Sequence, residues 1–184
     1  MKVDLTLKLD QSDVVNDAHK DNKALIGHIG THFDVMNKVF PLEYTETEGV
    51  VFDISNITGE VKVTDVDLDR VKEKMFVGFY SSHIEKYPYS SKEYHDGYAV
   101  LSYELIEELC KRNIAIIGID FAGIRQGVEH TPADQYCADR GVFVIENMVN
   151  LKELVGKKCK VHTYPLNYTG ISGLPCRIIA DIKE

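Results

Sequence analysis

The sequence predicts a mixed α/β domain in which sheet outweighs helix. Three observations carry this. The first residues alternate apolar and polar side chains, six further short runs are apolar and rich in β-branched or aromatic residues, and two segments carry helix signals instead. Val3, Leu5, Leu7 and Leu9 alternate with Lys2, Asp4, Thr6 and Lys8, the period of a half-buried strand in an antiparallel or mixed arrangement. The further runs are "GVVFDIS" (49–55), "KMFVGFY" (74–80), "IAIIGID" (114–120), "GVFVIEN" (141–147), "CKVHTYPL" (159–166) and "CRIIADI" (176–182). "SYELIEELCKRN" (102–113) places Leu105, Ile106 and Leu109 at helical spacing, opens on a Ser and closes on Lys-Arg-Asn, which complements both ends of the helix dipole. A second helix is predicted from Thr131 as N-cap, Pro132 at the first helical position and Asp134 at the third, closing at Gly141. Residues 81–98, rich in Tyr, Ser and Pro, read as a surface excursion.

The 184 residues, 44% of them hydrophobic and 27% charged, are enough for one domain with a sizeable core, so a single domain over 1–184 is expected. A net charge of -8 without a Lys/Arg cluster argues against nucleic-acid or anionic-membrane partners, which need a positive surface, and favours a small-molecule substrate or other proteins. Cys110, Cys137, Cys159 and Cys176 are irregularly spaced and form no CxxC, so they read as reduced and buried. "MKVDLTLKLD" is not a signal-peptide core and no apolar run approaches the ~18 residues of a membrane span; a cytoplasmic protein is expected.

The densest chemistry lies in "HIGTHFD". His28, His32 and Asp34 fall within seven residues. Gly30 and the β-branched Ile29 and Thr31 disfavour a helix. On an extended backbone His28, Gly30, His32 and Asp34 would share one face, aiming three ligands at one point past a glycine gap. Two imidazoles and a carboxylate suit Zn, Mn or Fe better than Ca or Mg, with Thr31 orienting a ligand through its hydroxyl. Single histidines such as His19, His83, His95 and His162 read as surface or satisfied core residues. The five fixed positions of the cluster would arise by chance at roughly one start in a million or fewer, on typical amino-acid usage.

"HIGTHFD" resembles the H-x-G-T-H-x-D signature of the cyclase family of metal-dependent hydrolases, the group that includes kynurenine formamidase and isatin hydrolase. "IAIIGID" is similar to the family's central strand, "GVFVIENMVNLKELVG" to a later strand with a ligand glutamate, and "GISGLPCRIIADI" to its closing strand, so the resemblance runs from about residue 25 to the end. It implies a swivelling β/β/α-type fold with a mixed central sheet flanked by helices, and one or two divalent metal ions, Zn or Mn. His28, His32, Asp34 and Glu146 match its metal ligands. Asp134 stands where the family has a further ligand histidine; a carboxylate there would move the metal preference toward harder ions. Asp134 is also open to a capping reading, Thr-x-x-Asp at a helix start. His130, one turn earlier, is the substitute ligand if the alignment slips by four residues, and otherwise a substrate-binding donor.

The family signature usually continues to a histidine that shuttles protons. Lys38 stands in that place, and with an ordinary pKa near 10.4 it either has its pKa lowered, holds a substrate oxyanion or carboxylate, or is simply solvated. The resemblance implies hydrolysis of an amide, cyclic amide, formamide or ester by metal-activated water that Glu146 or Asp34 orients. Arg125 in "AGIRQG" is a candidate anchor for an anionic substrate. A family member with altered catalysis, serving as a metal-dependent small-molecule binding protein, is the alternative. A homodimer or homotetramer is also implied, with Tyr80, Tyr87, Tyr89, Tyr94 and Tyr98 lining the pocket or an interface.

Overall fold

The apolar runs fold as strands. In the computed structural model, which describes residues 1–9, 11 and 23–183, β1 spans Lys2–Asp4, β2 His32–Asp34, β3 Glu46–Asp53, β4 Glu60–Val61, β5 Phe76–Tyr80, β6 Val100–Leu101, β7 Ile116–Ile119, β8 Phe143–Glu146, β9 Cys159–Pro165 and β10 Gly173–Ile182. Neighbours follow the order β10-β2-β8-β7-β5-β3-β9, and β9 pairs again with β10, so seven strands close into a mixed barrel-like sheet. The four strands β3, β5, β7 and β8 are parallel, while β2, β9 and β10 run against their neighbours. Parallel strands in the middle of a sheet are covered on both faces, which is why "FVGFY", "IIGI" and "FVIE" are buried at every position instead of alternating.

Two apolar layers result. Phe33, Val51, Phe76, Ile116, Ile145 and Ile178 fill one side of the sheet, and Val50, Val77, Phe79, Ile117 and Val144 face the other. The described α-helices are α1 (His83–Lys86), α2 (Lys92–His95), α3 (Tyr103–Lys111) and α4 (His130–Ala138), and Leu105, Ile106 and Leu109 of α3 with Ala133 and Cys137 of α4 join that second layer. α3 starts as expected, the Ser102 hydroxyl accepting from Leu105 N at 3.0 Å.

Three expectations are corrected. The first strand is only three residues long, and past it Thr6 makes a single bridge to Met148 while Leu7 N donates to the Thr31 hydroxyl. α4 begins at His130 with no side-chain cap, after a turn at Gly127–Glu129, so Thr131 and Pro132 lie inside its first turn. Pro132 is tolerated there because first-turn N–H groups have no partner within the helix. The cap reading of Asp134 therefore falls. Finally, residues 81–98 form a surface excursion only in part: most of the segment is exposed or half-buried, but Ser81, Ser82, His83, Tyr94 and Tyr98 are buried and anchor it. Asp120, at the end of β7, gathers that segment by accepting from Ser81 N, Ser81 Oγ and Ser82 N at 2.6–3.1 Å. His83 is a satisfied core histidine, its Nε2 2.8 Å from the Tyr94 carbonyl. His19 lies outside the described residues. Among the described residues no helix is long and apolar enough to cross a membrane.

Candidate metal centre

The β2–β8 ladder sets the middle of the site. Alternation along β2 sends Phe33 into the core and His32 and Asp34 to the other face, and register places Glu146 of β8 directly opposite His32. His32 Nε2 consequently lies 3.6 Å from Asp34 Oδ1 and 3.7 Å from Glu146 Oε2. His28 arrives by another route, since the chain bends from His28 to Thr31 and only His32–Asp34 is extended. Gly30 is left-handed, φ +56°, and Gly27 crosses β10 so closely that a Cβ would sit 1.9 Å from the Gly173 carbonyl oxygen. The crossing brings His28 Nδ1 to 2.9 Å from Asp34 Oδ1 and 3.2 Å from His32 Nε2. One extended face was expected; a bend and a strand achieve the same convergence. No gap is left beside Gly30 either, because a Cβ there would lie 2.8 Å from the Leu9 side chain.

The carbonyl of Gly30 is what the site uses. It lies 2.9 Å from His32 Nδ1 and accepts from Asn147 Nδ2 at 2.8 Å. With Nδ1–H donated there, Nε2 is the ring nitrogen left to face the centre. Ser172 does the same for His28, 2.7 Å from its Nε2, leaving Nδ1 inward. Thr31 was expected to orient a ligand; its hydroxyl instead donates to the Asn147 carbonyl and accepts from Leu7 N, at 2.8 Å each, and so ties three backbone segments together.

A second set faces the first. His130 and Asp134 are one turn apart on α4, and both point inward: His130 Nε2 is 3.2 Å from Asp134 Oδ2 and 2.9 Å from Glu146 Oε1. His28, His32 and Asp34 form one convergent group and Asp34, His130, Asp134 and Glu146 another, with ligand atoms within 4.8 Å of one another in each. Two ligands of one ion at ~2.1 Å are up to ~4.2 Å apart, so small adjustments suffice.

The electrostatics fit a cation. Asp34, Asp134 and Glu146 are all buried, and Asp34 Oδ2 and Asp134 Oδ1 have no hydrogen-bond partner among the described residues. Burial, with the charges of Asp34 and Glu146 added, raises the Asp134 carboxyl far above the usual range. Burial would raise Asp34 as well, but hydrogen bonds and charge from His28 and His32 hold it well below that range. His32 shows the mirror image: burial pulls its pKa down, yet Asp34, Glu146 and the Gly30 carbonyl together push it up to about 9. A divalent ion does what these borrowed protons do, neutralising a crowd of carboxylates that burial would otherwise forbid. The residues present thus fit a divalent metal.

The centre forms the floor of a cleft of about 750 Å³, with Ile26, Met36, Tyr89, His95, Tyr98 and Ala122 on its walls. His95, read from sequence as a bystander, belongs to this lining. Tyr94 stays beneath it, donating to Asn147 Oδ1 at 2.5 Å. Asn147 and Ser172 escaped sequence reasoning; their neighbours Glu146 and the Gly170–Gly173 loop were the available signal.

Lys38 and Arg125 are not brought to the centre. Lys38 Nζ pairs with Asp139 at 2.6 Å on the exposed side of the molecule and lies outside the cleft lining. The left-handed Met36 and the turn that returns Lys38 N to the Val35 carbonyl carry the chain away after β2. Arg125 is a clamp: its Nη1 donates to Glu60 at 2.6 Å and the Leu101 carbonyl at 2.9 Å, its Nε and Nη2 to Glu129 at 3.1 and 2.7 Å, and it lies over the Tyr103 ring. An arginine so committed has no donor pair to offer a substrate.

Comparison with known proteins shows the family and the fold. The family model described as "Putative cyclase" matches residues 3–125. No curated protein matches the sequence. Among solved structures, a potential metal-dependent hydrolase with cyclase activity is similar at TM-score 0.78 and 20% identity, covering 100% of this chain and 98% of that one. Isatin hydrolase A from Ralstonia solanacearum is similar at TM-score 0.75 and 18% identity, covering 98% and 91%. Isatin hydrolase A from Labrenzia aggregata, bound to benzyl benzoate, is similar at TM-score 0.73 and 20% identity, covering 84% and 73%. At these identities the likeness is one of fold.

Proposed function

This chain belongs to the cyclase family, and from that premise we propose that it is a metal-dependent hydrolase acting on an amide, cyclic amide, formamide or ester bond of a small molecule. The observation that carries the reading is the pair of convergent ligand groups sharing Asp34 at the floor of an open cleft. The chemistry a divalent ion would supply there is a water whose pKa falls from 15.7 toward ~7 and a polarised carbonyl. His28, His32, Asp34, Asp134, Glu146 and His130 would hold the metal, Zn or Mn. Ser172 and the Gly30 carbonyl keep both imidazoles of the first group in the ligand tautomer. Asp134 Oδ1, buried without a partner among the described residues, is the acceptor that can orient the attacking water. Tyr89 and Tyr98 offer flat walls to an aromatic or cyclic substrate, in a cleft within the ~300–1,000 Å³ usual for small ligands.

One observation favours a second reading. The shuttle position holds Lys38, turned outward to Asp139, so a binding protein that keeps the metal but turns over nothing is the rival. Turnover of N-formyl aromatic amines, cyclic amides and aryl esters by metal-loaded protein, abolished by a chelator, is the expected result. Stoichiometric metal without turnover of any of them would leave the binding reading standing. The protein is further proposed to work in the cytoplasm as a homodimer or homotetramer; a monomer by light scattering at micromolar concentration would refute that assembly.

A further inference from the structure

The two ligand groups differ in chemistry. The group of His28, His32 and Asp34 offers two nitrogens and one oxygen; that of Asp34, His130, Asp134 and Glu146 offers one nitrogen and three oxygens. Imidazole suits Zn, while carboxylate-rich sets suit harder ions such as Mn and Mg. The first group is also the more fixed, its imidazoles pinned by Ser172 and the Gly30 carbonyl, whereas Asp134 of the second has one oxygen 3.2 Å from His130 and the other buried without a partner among the described residues. Resting on the metal-dependent reading above, we propose that the centre holds two unlike ions: zinc at His28, His32 and Asp34, and a harder ion of the manganese class at Asp34, His130, Asp134 and Glu146.

The size of the preference follows from the ligand sets. Zinc outranks manganese at nearly any nitrogen-bearing site. What the difference in donors sets is where zinc goes first when it is limiting. One equivalent of zinc is drawn to the two imidazoles, and manganese in excess fills the carboxylates that remain.

The test uses metal-free full-length protein given one equivalent of Zn²⁺ and excess Mn²⁺, then desalted. Plasma mass spectrometry should read one zinc and one manganese per chain, and electron paramagnetic resonance should show isolated Mn²⁺ beside diamagnetic zinc. Alike sites would scramble the two metals and add the spectrum of coupled manganese pairs, which would overturn the proposal. Given Mn²⁺ alone, His28→Ala should still bind manganese at the second group, and given one equivalent of Zn²⁺, Asp134→Ala should still bind zinc at the first; a His28→Ala protein without manganese or an Asp134→Ala protein without zinc would also overturn it. Asp134→His, which adds a nitrogen, should shift the second position toward zinc by on the order of tenfold, a readout that needs only a folded protein. A protein binding neither metal would bring down the hydrolase reading as well, whereas two like ions would remove this inference alone.

Discussion

The two ligand groups reach the same point by opposite means. His28, His32 and Asp34 come from seven consecutive residues, and a bend plus one short strand aims them. His130, Asp134 and Glu146 come from a helix and a strand that meet only through tertiary packing, Glu146 by facing His32 across the ladder and the other two by the setting of α4 on β8. Local chain geometry builds the first group and the sheet builds the second. Asp34 is the one residue on which both depend.

That comparison can be broken at its shared residue. Asp34→Asn should lose both ions and all turnover, a loss beyond the ~10–100-fold that removing an outer hydrogen-bond partner costs; metal analysis of the purified variant checks it. Breaking only one side is the next effect in size. Ser172→Ala frees the His28 ring and should cost ~10–100-fold in affinity for the ion on the first group, read by competition with a chromogenic chelator, while the second group keeps its ion.

Protonation sharpens the same contrast. In metal-free protein the His32 pKa is raised to about 9 from an ordinary 6.5. Its contribution to stability is therefore full below about pH 6.5 and is lost as pH rises through about 9, a decline on the order of 1–3 kcal/mol in denaturant titrations. Added zinc should flatten that decline, because a bound imidazole is neutral across the range.

The smallest effects belong to residues that look functional and are not at the centre. Arg125→Ala should lower stability by about 1–3 kcal/mol through its lost charged hydrogen bonds and leave KM for an anionic substrate unchanged. Lys38→Ala should change kcat/KM by less than about twofold, since an exposed ion pair is screened and remote.

How much of this was legible depended on whether the information was local. "HIGTHFD" announced its ligands because they sit together. The strand runs were equally plain, since buried parallel strands need continuous apolar sequence. The full length of β10 was less so, as the apolar run begins at Cys176 and yet Gly-Leu-Pro at 173–175 pairs with β2, Pro175 opposite His32. Closure of the barrel through β9 and β10 left no local mark at all. Thr131-Pro132 imitated a helix start that the preceding turn had moved to His130. Asn147, held left-handed at φ +57°, matters because folding brings Gly30, Thr31 and Tyr94 against it. Sequence left the roles of Lys38 and Arg125 open, because their partners Asp139, Glu60 and Glu129 could be found only once the chain was folded.

The account stands or falls on the sharing of Asp34. Crystals of the metal-loaded protein, with anomalous data collected around the zinc and manganese edges, test it most directly. Two peaks on either side of the Asp34 carboxylate, ~3.5–4 Å apart as in two-metal sites, are the predicted result. A map with no peak at Asp34, or a single ion touching only one of the two groups, would contradict it.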